Sequence, residues 1–488
     1  MGMNISNDIL KTRADIAGLS IFSALKKHPL VHSLDAMLEG LSRVSSADGP
    51  LGADLRSDGS PPEAAVLGLI RDWADFMEIL MRPLAMKSTL RNQTGSFYSQ
   101  IYFLTITDDN PFTRRLEIWD AMDPDQLSST LYTLAKSDLS RLGRIAAIDL
   151  SGLGIHLAGL LEKAGLGENA SHIKDAARLM GSTGSALSSI PADLFPKDAD
   201  WGNSLPKLAA YIRSRGAGEL GLYSVFSWAA SVTAIPAAAL RPVLNPDPIS
   251  LADLSGYEDQ RSMVTANTLR FLEGRAANNL LLYGDRGTGK SATVKAVCNE
   301  YARRGLRLIE VRKGNLPELP AILDTLASRS LRFIIFIDDL SFESTDDSFT
   351  GLKALLEGCV ESRPDNVVVY ATSNRRHLVK ERLSDRPSSA EAADTGDIRA
   401  FDTMQEQFSL ADRFGITVVY TAPSQEEYLQ IATFIGQQRG ILGTGEAEIL
   451  RFRDNALRWE RWFNGRSPRT AVQYVDWVAG GAGFPWEG

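Results

Sequence analysis

The hydrophobic pattern changes character near residue 241. Before that point apolar positions recur mostly at helical spacing. In residues 64–80, Val66, Leu69, Ile70, Trp73, Phe76, Met77 and Leu80 fall on one helical face. Residues 112–122, 126–136 and 142–164 predict further helices. The apolar run 100–107 (QIYFLTIT) reads either as a short strand or as a buried helical turn. Residues 45–62 and 181–196 are rich in small and turn-forming residues and read as a flexible connection and a loop. After the proline-punctuated boundary 241–248, near-continuous apolar runs alternate with helices: 279–283, 306–311, 331–337, 367–372 and 416–421. That texture predicts a parallel sheet covered on both faces, with any ligand along the strand C-terminal ends. From Ser424 the period is helical again. Ser424 and Glu427 form a capping box for a helix to Arg439 that Gly440 closes. A second helix covers 445–463, and a third opens at Ser467 with Pro468 in its first turn. The expected fold is α/β, a P-loop sheet flanked by helices over 241–423. A helical lid follows over 424–488, and a mostly helical N-terminal domain covers 1–240.

Composition narrows the class. At 488 residues the chain exceeds one ordinary domain, and 44% hydrophobic with 23% charged residues is a soluble, globular balance. A net charge of -8 argues against a surface built to coat nucleic acid. Cys298 and Cys359 lie in apolar helical contexts and read as small core residues, so a disulfide framework is not expected. The first residues lack a basic segment followed by an apolar core, and no apolar run is long enough to cross a bilayer. The nearest, 221–240, is Ala- and Ser-rich and broken by Pro236. The expectation is a cytoplasmic protein. His28, His32, His156 and His172 have no partners at metal-ligand spacing. Residues 1–240 offer no nameable chemistry and read as an adaptor, a partner-binding module or a regulatory cap.

The chemistry concentrates at Gly284, Asp285, Arg286, Gly287, Thr288, Gly289, Lys290 and Ser291, which fit G-x-x-x-x-G-K-[ST] at every fixed position. An apolar strand precedes the loop and a helix follows it, as the motif requires. Glycines let backbone N–H groups turn inward around a triphosphate, and the helix N-terminus adds partial positive charge. Lys290 is expected on the β- and γ-phosphates and Ser291 on Mg2+. Downstream, the strand 333–337 ends in Asp338 and Asp339. The first is assigned to the metal and the second to activating the attacking water, with Glu343 as runner-up.

With these residues in place the chain resembles the AAA+ ATPase superfamily, and more closely the bacterial family DUF815, over about 249–478. The resemblance rests on Leu251 to Tyr257 with Gln260 as an adenine-side segment, Asn267 and Thr268, and the segments 271–274 and 277–279. It also rests on 338–343, 371–377, 409–415 and 465–471. It implies that Asn374 positions the attacking water and that Arg413 is an arginine finger offered to a neighbouring subunit. Arg469 would be a lid sensor reaching the same phosphates. Aspartate stands at 339 where most AAA+ proteins have Glu, and Pro468 stands where the family pattern has Gly. Residues 381–402 read as a loop near the subunit interface, with Arg375, Arg376, Arg382 and Arg386 as a solvated or ligand-facing basic group.

The resulting expectation is an oligomeric, Mg2+-dependent ATPase that binds ATP and remodels a protein partner. A nucleic-acid-linked loader or initiator-like factor ranks behind it, as does a slow nucleotide-gated assembly switch.

Overall fold

The computed structural model describes residues 5–45, 63–82, 96–118, 129–180, 193–229, 240–340, 352, 364–374, 413–463, 465–481, 483–484 and 486. The basic group at 375–386, Glu343, Cys359 and most of the segments 45–62 and 181–196 lie outside them. The chain folds as two compact units, Met1–Leu222 and Tyr223–Gly488. The division falls upstream of the boundary read from sequence because Val225–Trp228, within the span taken as helical, forms a strand of the second unit.

The first unit is helical. Its helices include α1 (Ile5–Gly18), α2 (Pro29–Ser45), α3 (Glu63–Met81), α4 (Phe97–Thr107), α5 (Pro111–Ile118), α6 (Ser129–Ala146), α7 (Leu150–Lys163), α8 (Gly167–Met180) and α9 (Leu205–Arg215). The ambiguous run 100–107 is helix α4. Ser96 caps it, its side chain accepting from Ser99 N, and Gln100, Ile101, Tyr102, Thr105 and Ile106 are all buried. Burial on several sides explains why no helical period shows in that run. Helix α6 runs on through residues 137–141, and Asp138, fully buried in mid-helix, serves the α1–α2 connection. Its Oδ2 accepts from Ser20 N at 2.8 Å, Ile21 N at 2.7 Å and Phe22 N at 3.2 Å, while Arg141 bonds its other oxygen at 3.0 Å. The core around it includes Phe22, Leu34, Phe76, Leu139, Leu157 and Trp201.

The second unit holds a seven-stranded sheet. Its strands are β1 (Val225–Trp228), β2 (Leu240–Pro242), β3 (Leu280–Gly284), β4 (Leu306–Glu310), β5 (Arg332–Ile337), β6 (Val367–Asn374) and β7 (Ile416–Tyr420), in the order β2-β1-β4-β5-β6-β3-β7. All pairs are parallel except β1 with β2. The five strands legible in sequence form its contiguous interior and one edge. Burial of β5 and β6 along nearly their whole length accounts for their unbroken apolar runs. Helices α10 (Glu258–Leu272), α11 (Lys290–Tyr301) and α12 (Leu319–Ala327) lie between strands in sequence. The closing helices are α13 (Gln425–Gln438), α14 (Glu446–Trp462) and α15 (Pro468–Ala479), around Tyr428, Ile431, Phe452, Trp459 and Tyr474. Ser424 and Glu427 make the reciprocal capping box. Among the described residues, no single helix is long and apolar enough to cross a membrane.

Candidate nucleotide site

Strand register brings the chemistry together. Gly284 pairs with Asn374 on one side and with Tyr420 on the other, and Ile337 pairs with Ala371. The C-terminal ends of β3, β5, β6 and β7 therefore open onto one edge, as crossovers in a parallel sheet require. A cavity of about 1080 Å³ lies there. The glycine loop from Arg286 to Ser291, Asp338, Asp339, Asn374 and Arg469 all line it.

The loop's glycines are placed by sterics. At Gly284 φ is 140°, and a Cβ there would lie 1.9 Å from the Tyr420 carbonyl oxygen. At Gly287 φ is 76°, and a Cβ would meet Ser467 Oγ at 2.9 Å. The loop thus lies flush against β7 and against the start of α15, where Arg469 N donates to Gly287 O at 3.2 Å. Asp285 braces the far side: its Oδ2 accepts from Ala422 N at 2.7 Å.

Lys290 opens α11 and is buried. Its Nζ donates to Gly284 O at 3.1 Å, Asp285 O at 2.7 Å and Asn374 Oδ1 at 3.4 Å. Burial lowers its pKa to about 8, against the opposing pull of Asp285, Asp339 and Asp338. Ser291 Oγ donates to Asp338 Oδ1 at 2.5 Å, and Asn374 Nδ2 donates to Asp339 Oδ1. Lys290, Asn374 and Asp339 therefore form one hydrogen-bonded chain beside the Ser291–Asp338 pair. Ser291 and Asp338 present hard oxygen donors at one point, a set suited to Mg2+ sharing its remaining positions with phosphate and water.

The segment from Leu251 to Tyr257, expected on the adenine side, reaches the same cavity. Tyr257 OH donates to Thr421 O at 2.7 Å, and its ring centroid lies 5.1 Å from that of Tyr420. Gln260 Nε2 donates to Val419 O at 3.2 Å. Ile431, Ile435 and Val472 of the closing helices face the cavity with Pro248 and Ile249, giving one end an apolar lining.

Of the predicted residues, Gly284 and Asp285 lie just behind the cavity lining, and Arg413 is not brought to it. Arg413 is partly buried just before β7, at the opposite end of that strand from Tyr420, and is not among the lining residues. Sequence reasoning assigned no role to Thr372, Gln438 or Arg439, which do line it. A hydroxyl at the end of an otherwise apolar strand signals the first. The other two depend on how α13 lies against the sheet, which no local pattern records.

The profile of the family described as "Protein of unknown function (DUF815)" matches residues 223–482, just over half of the chain. The replication factor C large subunit of Methanococcus vannielii is 25% identical over 155 residues, 31% of this chain and 30% of that protein. The chain thus spans less than a third of that curated relative. Among solved structures, the Thermotoga maritima RuvB Holliday junction branch migration motor shows 16% identity and a TM-score of 0.27. That likeness covers 47% of this chain and 72% of the motor. A point variant of RuvB gives 15% and 0.28 over the same shares. Glycine loop, acidic strand end and sheet-edge asparagine lie within the matched span, and the chain belongs to the DUF815 family.

Proposed function

We propose that the protein is a Mg2+-dependent ATPase that acts as an oligomer and couples ATP hydrolysis to remodelling of a protein partner. The observation that carries the catalytic part is the joining of Lys290, Asn374 and Asp339 in one hydrogen-bonded chain beside Ser291 and Asp338. Lys290 and the loop amides from Gly284 to Ser291 hold the phosphates. Ser291 and Asp338 hold Mg2+, which neutralises charge on the phosphoryl group. Asp339 polarises the attacking water, and Asn374, able to donate and accept, bridges water and phosphate. Arg469 reports nucleotide to the lid, residues 424–488, because its backbone already bonds the loop.

Arg413 is assigned to the γ-phosphate of a neighbouring subunit. Its position at the far end of β7 supports action between subunits rather than within one. The N-terminal helical unit, Met1–Leu222, is assigned to partner binding as a large compact unit separate from the one that holds the loop. Affinity capture with Asp339→Asn in the presence of ATP tests the remodelling step. The variant is expected to hold a protein partner that wild type releases, and a variant retaining nothing removes this reading's support.

Two observations favour second readings. Aspartate at 339 suits a slow nucleotide-gated switch, which predicts ATP-dependent assembly with near-background hydrolysis. The match to a replication factor C subunit suits a nucleic-acid-linked factor, which predicts DNA binding that weakens steeply with salt.

A further inference from the structure

One buried hydroxyl stands between the two carboxylates at the end of β5. The pairing of Ile337 with Ala371 sets Thr372 beside Asp338, and Thr372 is 2% exposed. Its Oγ1 donates to Asp338 Oδ1 at 2.6 Å and accepts from Asp339 N at 2.9 Å. A threonine hydroxyl has one proton to give, so the direction is fixed: the proton goes to Asp338 and the lone pair to the Asp339 amide. The main chain repeats the tie one residue on, where Leu340 N donates to Thr372 O at 2.7 Å and Ser373 Oγ donates to Leu340 O at 2.6 Å.

Two consequences follow for the acids. Asp338 Oδ1 takes both Ser291 and Thr372 as hydroxyl donors, while its second oxygen has no hydrogen-bond partner among the described residues. Asp339 sits at φ 52°, a left-handed conformation that costs a non-glycine residue energy and persists only where surroundings enforce it. The Thr372 bond to its amide and the two bonds at Leu340 are that enforcement. In this conformation the Asp339 carboxylate meets Asn374.

We propose that Thr372 is a positioning residue that divides the work of the adjacent aspartates. It fixes the metal-side orientation of Asp338 and holds the turn that presents Asp339 to Asn374. It acts through the two aspartates rather than on the reacting atoms, and the inference rests on the Mg2+–ATP reading of the site.

The test titrates Mg2+ against binding of a fluorescent ATP analogue, alongside ATP turnover, in wild type, Thr372→Val and Thr372→Ser. Thr372→Val is near-isosteric but has no hydroxyl. It is expected to bind the analogue in EDTA within about twofold of wild type, since the phosphate loop is untouched. Its Mg2+ midpoint rises about tenfold and its turnover falls about tenfold or more, the scale of one lost hydrogen bond to a charged group. Thr372→Ser restores both. A merely structural hydroxyl would lower thermal stability while leaving the Mg2+ midpoint in place. A Thr372→Val protein with wild-type midpoint and turnover, or a Thr372→Ser protein as impaired as Thr372→Val, overturns the proposal. Should Thr372→Val fail to fold, Thr372→Ala replaces it in the same comparison. A wild type that binds the analogue without hydrolysing ATP refutes hydrolysis alone, and the midpoint still decides on Thr372. A wild type that binds no analogue overturns both.

Discussion

Burial gives Lys290 an amine that loses its proton near pH 8, well below its ordinary value of 10.5. A bound triphosphate stabilises the charged form and raises that pKa. Between the free and bound values the complex holds more protons than the free protein, so binding takes up protons and affinity falls as pH rises through 8. Calorimetric titration with ATP in two buffers of different ionisation enthalpy, at pH 7 and pH 9, is expected to show uptake only at the higher pH. Identical affinity and no uptake at pH 9 would contradict the role given to Lys290. A second residue-scale prediction concerns Asp138, whose buried carboxylate gathers three backbone N–H groups and Arg141. Asp138→Asn keeps the shape but loses the charge, and should destabilise the helical unit by about 2 kcal/mol in denaturant melts of the full chain. A shift below about 0.5 kcal/mol would mean the carboxylate does not hold the α1–α2 connection.

At the scale of elements, the glycine loop is a close-packed joint between β7 and α15. Gly284→Ala would force a Cβ against the Tyr420 carbonyl at a φ that side chains rarely adopt. The expected result is loss of more than about 2 kcal/mol and failure to bind ATP, read by thermal melting and analogue titration. Preserved stability would show that β3 and β7 do not approach as described. Much of this architecture was legible in advance. The interior strands are buried on both faces and declare themselves as apolar runs, and the first and third helices after Ser424 carry explicit serine caps. Strand β1 was not legible, because four residues bounded by small ones carry too little periodicity to separate from helix. The same limit left α4 ambiguous. Thr372 was visible as a residue, but its part depends on a register between β5 and β6 that only the folded sheet supplies.

At the scale of the whole molecule, Lys290 and Asp339 line the cavity while Arg413 lies away from it. If Arg413 serves a neighbour, two defective chains should complement each other. Arg413→Ala lacks the finger but keeps an intact pocket, and Asp339→Asn lacks the water-activating acid but keeps the finger. Mixed, they place some intact pockets against intact fingers, so turnover of the mixture should exceed that of either alone several-fold. A mixture no more active than its components would assign Arg413 to its own subunit or to surface charge.

The central claim is that Gly284 to Ser291 forms one wall of a hydrolytic site completed by a second subunit. Steady-state ATP turnover of purified wild type, Lys290→Ala and Arg413→Ala tests it most directly. Wild type should hydrolyse ATP in Mg2+, Lys290→Ala should lose both binding and turnover, and Arg413→Ala should bind ATP but turn it over at least about a hundredfold more slowly. Equal turnover in all three proteins would contradict the account.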